Sequence, residues 1–386
     1  MAGRPDLHAK EDRRISGEGV DHLFLTLILL LLTVGLTMLY SASFAQSQYD
    51  TGYTVSTKYL QKQAVCALMG LAAMYFFSRI PTQTWYRLAW PLYGISILLL
   101  LSVLLMGQEV NGAKRWINIA GIQFQPSELA KFTQILLFAR LTRNYGQNAK
   151  QFRYGVLGFG LALLGILVPL ALEKHLSAIM LMGLVAVVMM FVAGTSPKWL
   201  LAGAGAAAVF VLIYITFMGY AGDRVTAWLH PEQDPGDTGY QILQSLYAIG
   251  SGGLFGLGFG KSRQKYLYLP FQYNDYIFAV CCEELGLVGA AAIAMLFAAA
   301  ILRGYWIALQ ARDRFSTVLG AGLVTLIAVQ TILNFCVVTN LLPSTGIALP
   351  FFSYGGTALA VNLGEMGIVL QISRQRNQRK IQEEIL

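Results

Sequence analysis

The chain has 386 residues, 56% of them hydrophobic and only 12% charged, against the roughly 25% charged share usual in soluble domains. Apolar runs of about 20 residues recur, the length a helix needs to cross a bilayer, and runs of that number and length exclude burial in one soluble core. The net charge of +8 comes from Lys and Arg lying between the apolar runs, with no segment interleaving aromatic and basic residues. That placement excludes nucleic acid as the partner and points to membrane topology and anionic lipid headgroups.

The N-terminal tail carries Arg4, Lys10, Arg13 and Arg14 and resembles the basic region of a signal peptide. The apolar run that follows, 23–43, is too long for one, so it reads as an uncleaved first span despite the small residues Ser41, Ala42 and Ser43. Further spans are expected at 60–78, 88–106, 127–141, 155–172, 176–194, 198–218, 276–302, 317–340 and 354–372. With the N-terminus in the cytoplasm, 18 of the 28 Lys and Arg fall in inside segments and 8 in outside segments, as the positive-inside rule requires.

The expectation is therefore an all-α integral membrane protein. A cytoplasmic tail (1–22) leads into a membrane domain of about ten transmembrane helices (23–372), and a second cytoplasmic tail (373–386) ends the chain. One long extracytoplasmic loop, 219–275, joins spans 7 and 8, too long for a plain connector. Cys66, Cys281, Cys282 and Cys336 sit in or beside apolar runs without metal-binding spacing and read as small buried hydrophobes. The small residues from Ala202 to Ala208 read as helix-packing surface.

Motifs follow in chain order. Lys114 and Arg115 precede Trp116 in an outside loop and serve either as interfacial anchors or as a clamp for an anionic headgroup. Glu128 and Lys131, three apart at the start of span 4, share one helical face and form either a structural ion pair or the lining of a polar cavity. The stretch Gly256 to Ser262 imitates a phosphate loop, but Phe255 stands where that motif needs glycine and no strand precedes it. A close-packed segment is expected there instead.

Asp275 closes the long loop just before an apolar run. It can cap a helix, take a proton from a sugar hydroxyl, or seat a divalent cation against a pyrophosphate. Glu283 and Glu284 have no opposite charge adjacent in sequence and should face the protein interior or water. The uncharged loop from Pro343 to Gly356 is broken by proline and glycine and faces the same compartment as Asp275, which makes it a second wall of one site.

Four blocks then carry a resemblance: 111–117 with 124–131, 231–246, 250–270 and 343–356. Together they resemble the SEDS family of membrane glycosyltransferases typified by FtsW, RodA and SpoVE. Glu173-Lys174-His175-Leu176-Ser177 is closer to the FtsW and SpoVE branch.

The resemblance implies polymerisation of peptidoglycan glycan strands from lipid II at the outer face of the cytoplasmic membrane, in division, elongation or sporulation. It assigns the family's essential acidic residue to Asp275, within Leu269-Pro270-Phe271-Gln272-Tyr273-Asn274-Asp275-Tyr276. Phe271 and Tyr276 depart from the family's Glu and Phe. Lys114, Arg115, Glu128, Lys131, Arg224, Gln264, Lys265 and Ser353 are the candidate substrate contacts, and Mg²⁺ or Mn²⁺ at Asp275 is the candidate cofactor. Expected partners are lipid II, the growing glycan strand and a class B penicillin-binding protein. A lipid II flippase is the rival reading.

Overall fold

The structure is a computed structural model that describes residues 19–110, 113–119, 122–203, 205, 226–233 and 238–385. Its helices are α1 (His22–Asp50), α2 (Lys58–Phe77), α3 (Thr82–Met106), α4 (Pro126–Tyr145), α5 (Phe159–Leu172, entered through a π turn over Arg153–Gly158) and α6 (Leu176–Val192). After them come α7 (Thr238–Gly252), α8 (Ile277–Leu309), α9 (Arg314–Val338) and α10 (Gly356–Ile385). Six helical segments are long and apolar enough to cross a membrane: α1, α2, α3, the π turn with α5, α8 and α9. The chain is thus a multi-pass membrane protein. Of the expected seventh span, only 198–203 and 205 fall among the described residues, and they are helical.

Local chemistry sets the helix ends. The Asp21 carboxylate accepts from Phe24 N at 3.0 Å and starts α1, and Asp313 accepts from Phe315 N and Ser316 N to start α9. Pro126 occupies the first turn of α4, where its missing N–H costs nothing.

Burial separates the helices into centre and rim. In α9, 78% of the span window is covered by protein, against 22% in α2. The rim helices present Leu68, Phe76, Leu98, Leu105 and Leu302 outward, a surface suited to lipid tails. α4 is buried on nearly every face although it carries Glu128, Lys131 and Gln134. α10 lies along α2 at close range: a methyl group placed on Gly367 would stand 2.4 Å from the Met74 carbonyl. Only glycine permits that approach.

Side-chain ties fall into two sets. Arg303 holds Asp21 through two bonds of 3.0 and 2.8 Å, and Asp21 N donates to Ser373 Oγ, so the start of α1 meets the later parts of α8 and α10. Gln63 in the first turns of α2 bonds Ser353 O and Gly355 N, just before α10. The second set lies just before the start of α10 and the first about five turns along it.

Two expectations need correction. The chain is not wholly helical: β1 (Gln108–Val110), β2 (Ala113–Ile119) and β3 (Ile122–Phe124) form a small antiparallel sheet in order β1-β2-β3 between α3 and α4. The long loop is also not all loop, because α7 occupies 15 of its residues. The stretch from 253 to 276 is irregular, and α10 runs on through 373–385.

Candidate functional site

Asp275 is half-buried and immediately precedes Tyr276, the residue that caps α8. The loop before it is zipped to the loop before α10. Tyr354 N donates to Tyr273 O at 2.9 Å. Ser353 Oγ donates to Asn274 O at 2.6 Å and accepts from Leu349 N at 2.7 Å. Asn334 of α9 donates to Asp275 O at 2.7 Å and to Ile347 O at 2.8 Å. Gly346 faces the carboxylate, since a methyl group built on it would lie 3.5 Å from Asp275 Oδ2. The two loops expected to form two walls are therefore in contact.

A further wall reaches the same place. Ser177, in the first turn of α6, donates to Thr345 O. Three residues before it, Lys174 O accepts from Arg115 Nη2 at 2.6 Å, which brings the sheet between α3 and α4 against the turn between α5 and α6. That turn holds two buried titratable groups. Burial pushes the Glu173 carboxyl up to about 8, against the pull of the Arg115 cation. Burial also holds the His175 imidazole down at about 3, with the charges of Arg115 and Lys131 acting in the same direction.

Below this turn lies a polar row inside the bundle. Lys131 Nζ is 2.8 Å from Glu128 Oε2, with both side chains closed off from solvent. Glu365 of α10 is 2% exposed, lies within electrostatic reach of both, and has neither carboxylate oxygen hydrogen-bonded among the described residues. Sequence reading missed Glu365. The signal available was an acidic residue inside an apolar run, which needs a reason at that depth.

Three aromatic rings flank the Asp275 loop. Tyr59 and Tyr273 stand 4.5 Å apart between centroids, and Tyr354 lies 4.9 Å from Tyr59. Burial raises the Tyr273 phenol above its ordinary value, and the carboxylates of Asp50 and Asp275 push the same way.

Lys265 occupies a different environment from the one expected. It is 2% exposed, and its ammonium reaches Glu284 Oε1 at 3.0 Å, Ser41 Oγ at 3.0 Å and Gly260 O at 2.6 Å. Glu284 also accepts from Gly260 N and Ser262 N, while Glu283 accepts from Ser262 Oγ, Arg263 N and Gln264 N. The two carboxylates are interior, as expected, but they are heavily partnered: they satisfy the N–H groups of the glycine-rich turn. Gly256 and Gly286 pack backbone to backbone there.

Gln264 lines an open groove with Lys261, Ser262, Arg263, Tyr266 and Tyr268. Lys114 is exposed on β2. Arg224 lies outside the described residues. The structure therefore joins Asp275, Ser353 and Arg115 through bonds between neighbouring loops, pairs Glu128 with Lys131 inside the bundle, and pairs Lys265 with Glu284. Among the described residues, no three His, Cys, Asp or Glu side chains converge to cage a metal ion.

Residues 21–378 match the family described as "Cell cycle protein", FtsW/RodA/SpoVE. The chain is 39% identical over 361 residues to a probable peptidoglycan glycosyltransferase FtsW of Geobacter sulfurreducens, covering 92% of this chain and 95% of that one. It is 37% identical over 358 residues to stage V sporulation protein E of Bacillus subtilis, covering 92% and 97%. Among solved structures, a chain of a peptidoglycan synthase complex that coordinates polymerization and crosslinking superposes with a TM-score of 0.79 at 28% identity, covering 93% of this chain and 98% of that one. The rod shape determining protein RodA of Thermus thermophilus gives 0.70 at 27% identity, with the same coverage. Sequence, fold and the loops around Asp275 lead to one conclusion: this chain belongs to the FtsW/RodA/SpoVE family.

Proposed function

We infer that this chain is a peptidoglycan glycosyltransferase that joins lipid II disaccharides into β-1,4-linked glycan strands and releases undecaprenyl pyrophosphate. The carrying observation is Asp275, whose backbone is held where the loops before α8 and α10 meet. The 4-hydroxyl of one GlcNAc attacks the anomeric carbon of a lipid-linked MurNAc. A C–O bond forms, the bond from that carbon to the pyrophosphate oxygen breaks, and the hydroxyl proton passes to Asp275. A positioned general base contributes on the order of 10² to 10⁴ in rate.

The departing pyrophosphate needs positive charge. Arg115, which bonds Lys174 O, is the first candidate to supply it, and Lys114 and Lys131 are the others. Arg224 remains a candidate from sequence alone. Asp275 is the carboxylate that would hold Mg²⁺ or Mn²⁺ jointly with substrate phosphates, and such an ion would neutralise charge on the leaving group. Gln264 contributes to binding from the groove, and Ser353 through the loop it fastens.

Positive charge concentrated in the inside segments supports cytoplasmic termini, ten spans and an extracytoplasmic Asp275. The superposition on a subunit of a synthase complex supports a class B penicillin-binding protein as the crosslinking partner. The buried row of Glu128, Lys131 and Glu365 is the feature a lipid II transporter would use, so both activities belong in one experiment. Purified protein is given lipid II, and glycan strands are read on a gel with and without a cognate transpeptidase, beside a vesicle flipping assay. Asp275→Ala is expected to abolish strand formation, and strands made by it at an undiminished rate would remove Asp275 from the chemistry.

A further inference from the structure

The backbone that carries Asp275 is not held by regular structure. It ends an irregular stretch of more than 20 residues in which Leu267 (φ 67°) and Phe271 (φ 53°) adopt left-handed conformations. Non-glycine residues persist there only when their surroundings impose it. A carboxylate acting on a hydroxyl must be placed to a fraction of an ångström, so this stretch requires fastening to something rigid.

Asn334 meets that requirement. It is 1% exposed and sits on α9, the span most enclosed by protein. Its single amide nitrogen donates to Asp275 O at 2.7 Å and Ile347 O at 2.8 Å. The two N–H bonds of one side chain are thus divided between the two loops that form the walls of the site. Ile347 directly follows Gly346, the residue that faces the Asp275 carboxylate. One buried amide therefore sets both the Cα position of Asp275 and its distance from the opposing loop. The geometry also fixes the amide's orientation, because the reversed rotamer would aim an oxygen at two carbonyls.

We propose that Asn334 is the positioning residue of the glycosyl transfer, holding the Asp275 carboxylate against the 345–347 loop through bonds to the backbone of both. The proposal rests on Asp275 being the base. Ser353 and Tyr354 fasten neighbouring residues 274 and 273, whereas Asn334 reaches the backbone of Asp275 itself. Removing the amide leaves the loops folded on these other ties but takes away the tie on the Asp275 backbone itself.

The test uses full-length protein with lipid II. In Asn334→Ala, kcat is expected to fall about 10- to 100-fold, the scale set by an ångström of misplacement, with KM and lipid II binding unchanged. Asn334→Asp keeps the shape but loses the donor while ionised; protonated, it regains one O–H. Its kcat relative to that of the unsubstituted chain is therefore expected to climb as pH falls, at constant KM. Melting temperature confirms that each variant is folded.

An undiminished kcat in both variants overturns the proposal. So does a parallel loss of kcat and lipid II binding in folded protein, which would mark a general structural role. Asp275→Asn runs alongside. A full rate there removes the base, and this proposal with it; a dead Asp275→Asn beside a fully active Asn334→Ala removes the positioning role alone.

Discussion

The ammonium of Lys265 lies 3.0 Å from Glu284, and the contact ties the stretch leading to Asp275 onto the second turn of α8. Both groups are buried, so deleting one partner leaves a charge without its counterion, at a cost of about 3–5 kcal/mol. Lys265→Met is expected to lower the melting temperature in detergent by several degrees and to reduce activity only in proportion to the folded fraction. A raised KM for lipid II at an unchanged melting temperature would return Lys265 to the substrate.

Gly286 is the hinge on which this packing depends. Its φ of 66° breaks the helical geometry of α8, and an added methyl group would lie 2.3 Å from Gly256 N and 2.5 Å from Leu254 O. With ψ at −170° this is a conformation open essentially to glycine, which costs another residue about 1–3 kcal/mol, and the clash with backbone adds to that. Gly286→Ala should therefore yield little folded protein. Gly250→Ala in α7, where nothing lies within 4 Å of the added carbon, should be neutral or stabilising by up to about 1 kcal/mol. Detergent-solubilised yield and thermal unfolding of the pair check this.

The turn between α5 and α6 gives a pH signature. Glu173 is raised from 4.5 to about 8, so the fold favours its neutral form. That contribution to stability is complete below pH 4.5 and is lost as pH rises through about 8. His175 is lowered from 6.5 to about 3, and its contribution is present above pH 6.5 and lost as pH falls toward 3. Relative to the unsubstituted chain, Glu173→Gln should gain melting temperature between pH 5 and 8. His175→Asn should gain it as pH falls below 6.5. Parallel curves across that range would contradict both assignments.

Most of the bundle was legible because bilayer crossing imposes length and apolarity on each span, and both are visible residue by residue. The sheet was not. Only Ile117, Asn118 and Ile119 alternate as a strand does, too short a run to read, and the pairing depends on residues on either side. Asp275 and the loop around Ser353 were legible as motifs, and their contact was inferred from a shared compartment. Asn334 and Glu365 were not, since each is one polar residue in an apolar helix, and its meaning lies in what it touches. The pairing of Lys265 was hidden for the same reason: its carboxylate partner is 19 residues away, and proximity in sequence carried no sign of it.

Lys131 faces two carboxylates inside the bundle: Glu128 at 2.8 Å and Glu365, whose oxygens have no hydrogen-bond partner among the described residues. Their consequences for stability differ in sign. Glu365→Gln replaces a buried, poorly satisfied carboxyl group and is expected to be neutral or stabilising. Lys131→Met leaves both carboxylates without a cation and should cost about 3–5 kcal/mol. Adding Glu128→Gln and Glu365→Gln to Lys131→Met then restores the melting temperature, because no charge remains to be matched. Activity separates structure from chemistry. If Lys131 only balances its neighbours, lipid II polymerisation returns with stability in the triple variant. If its charge also stabilises the departing pyrophosphate, the triple variant is stable and inactive, and that second outcome is the one expected from its place beneath Arg115 and His175.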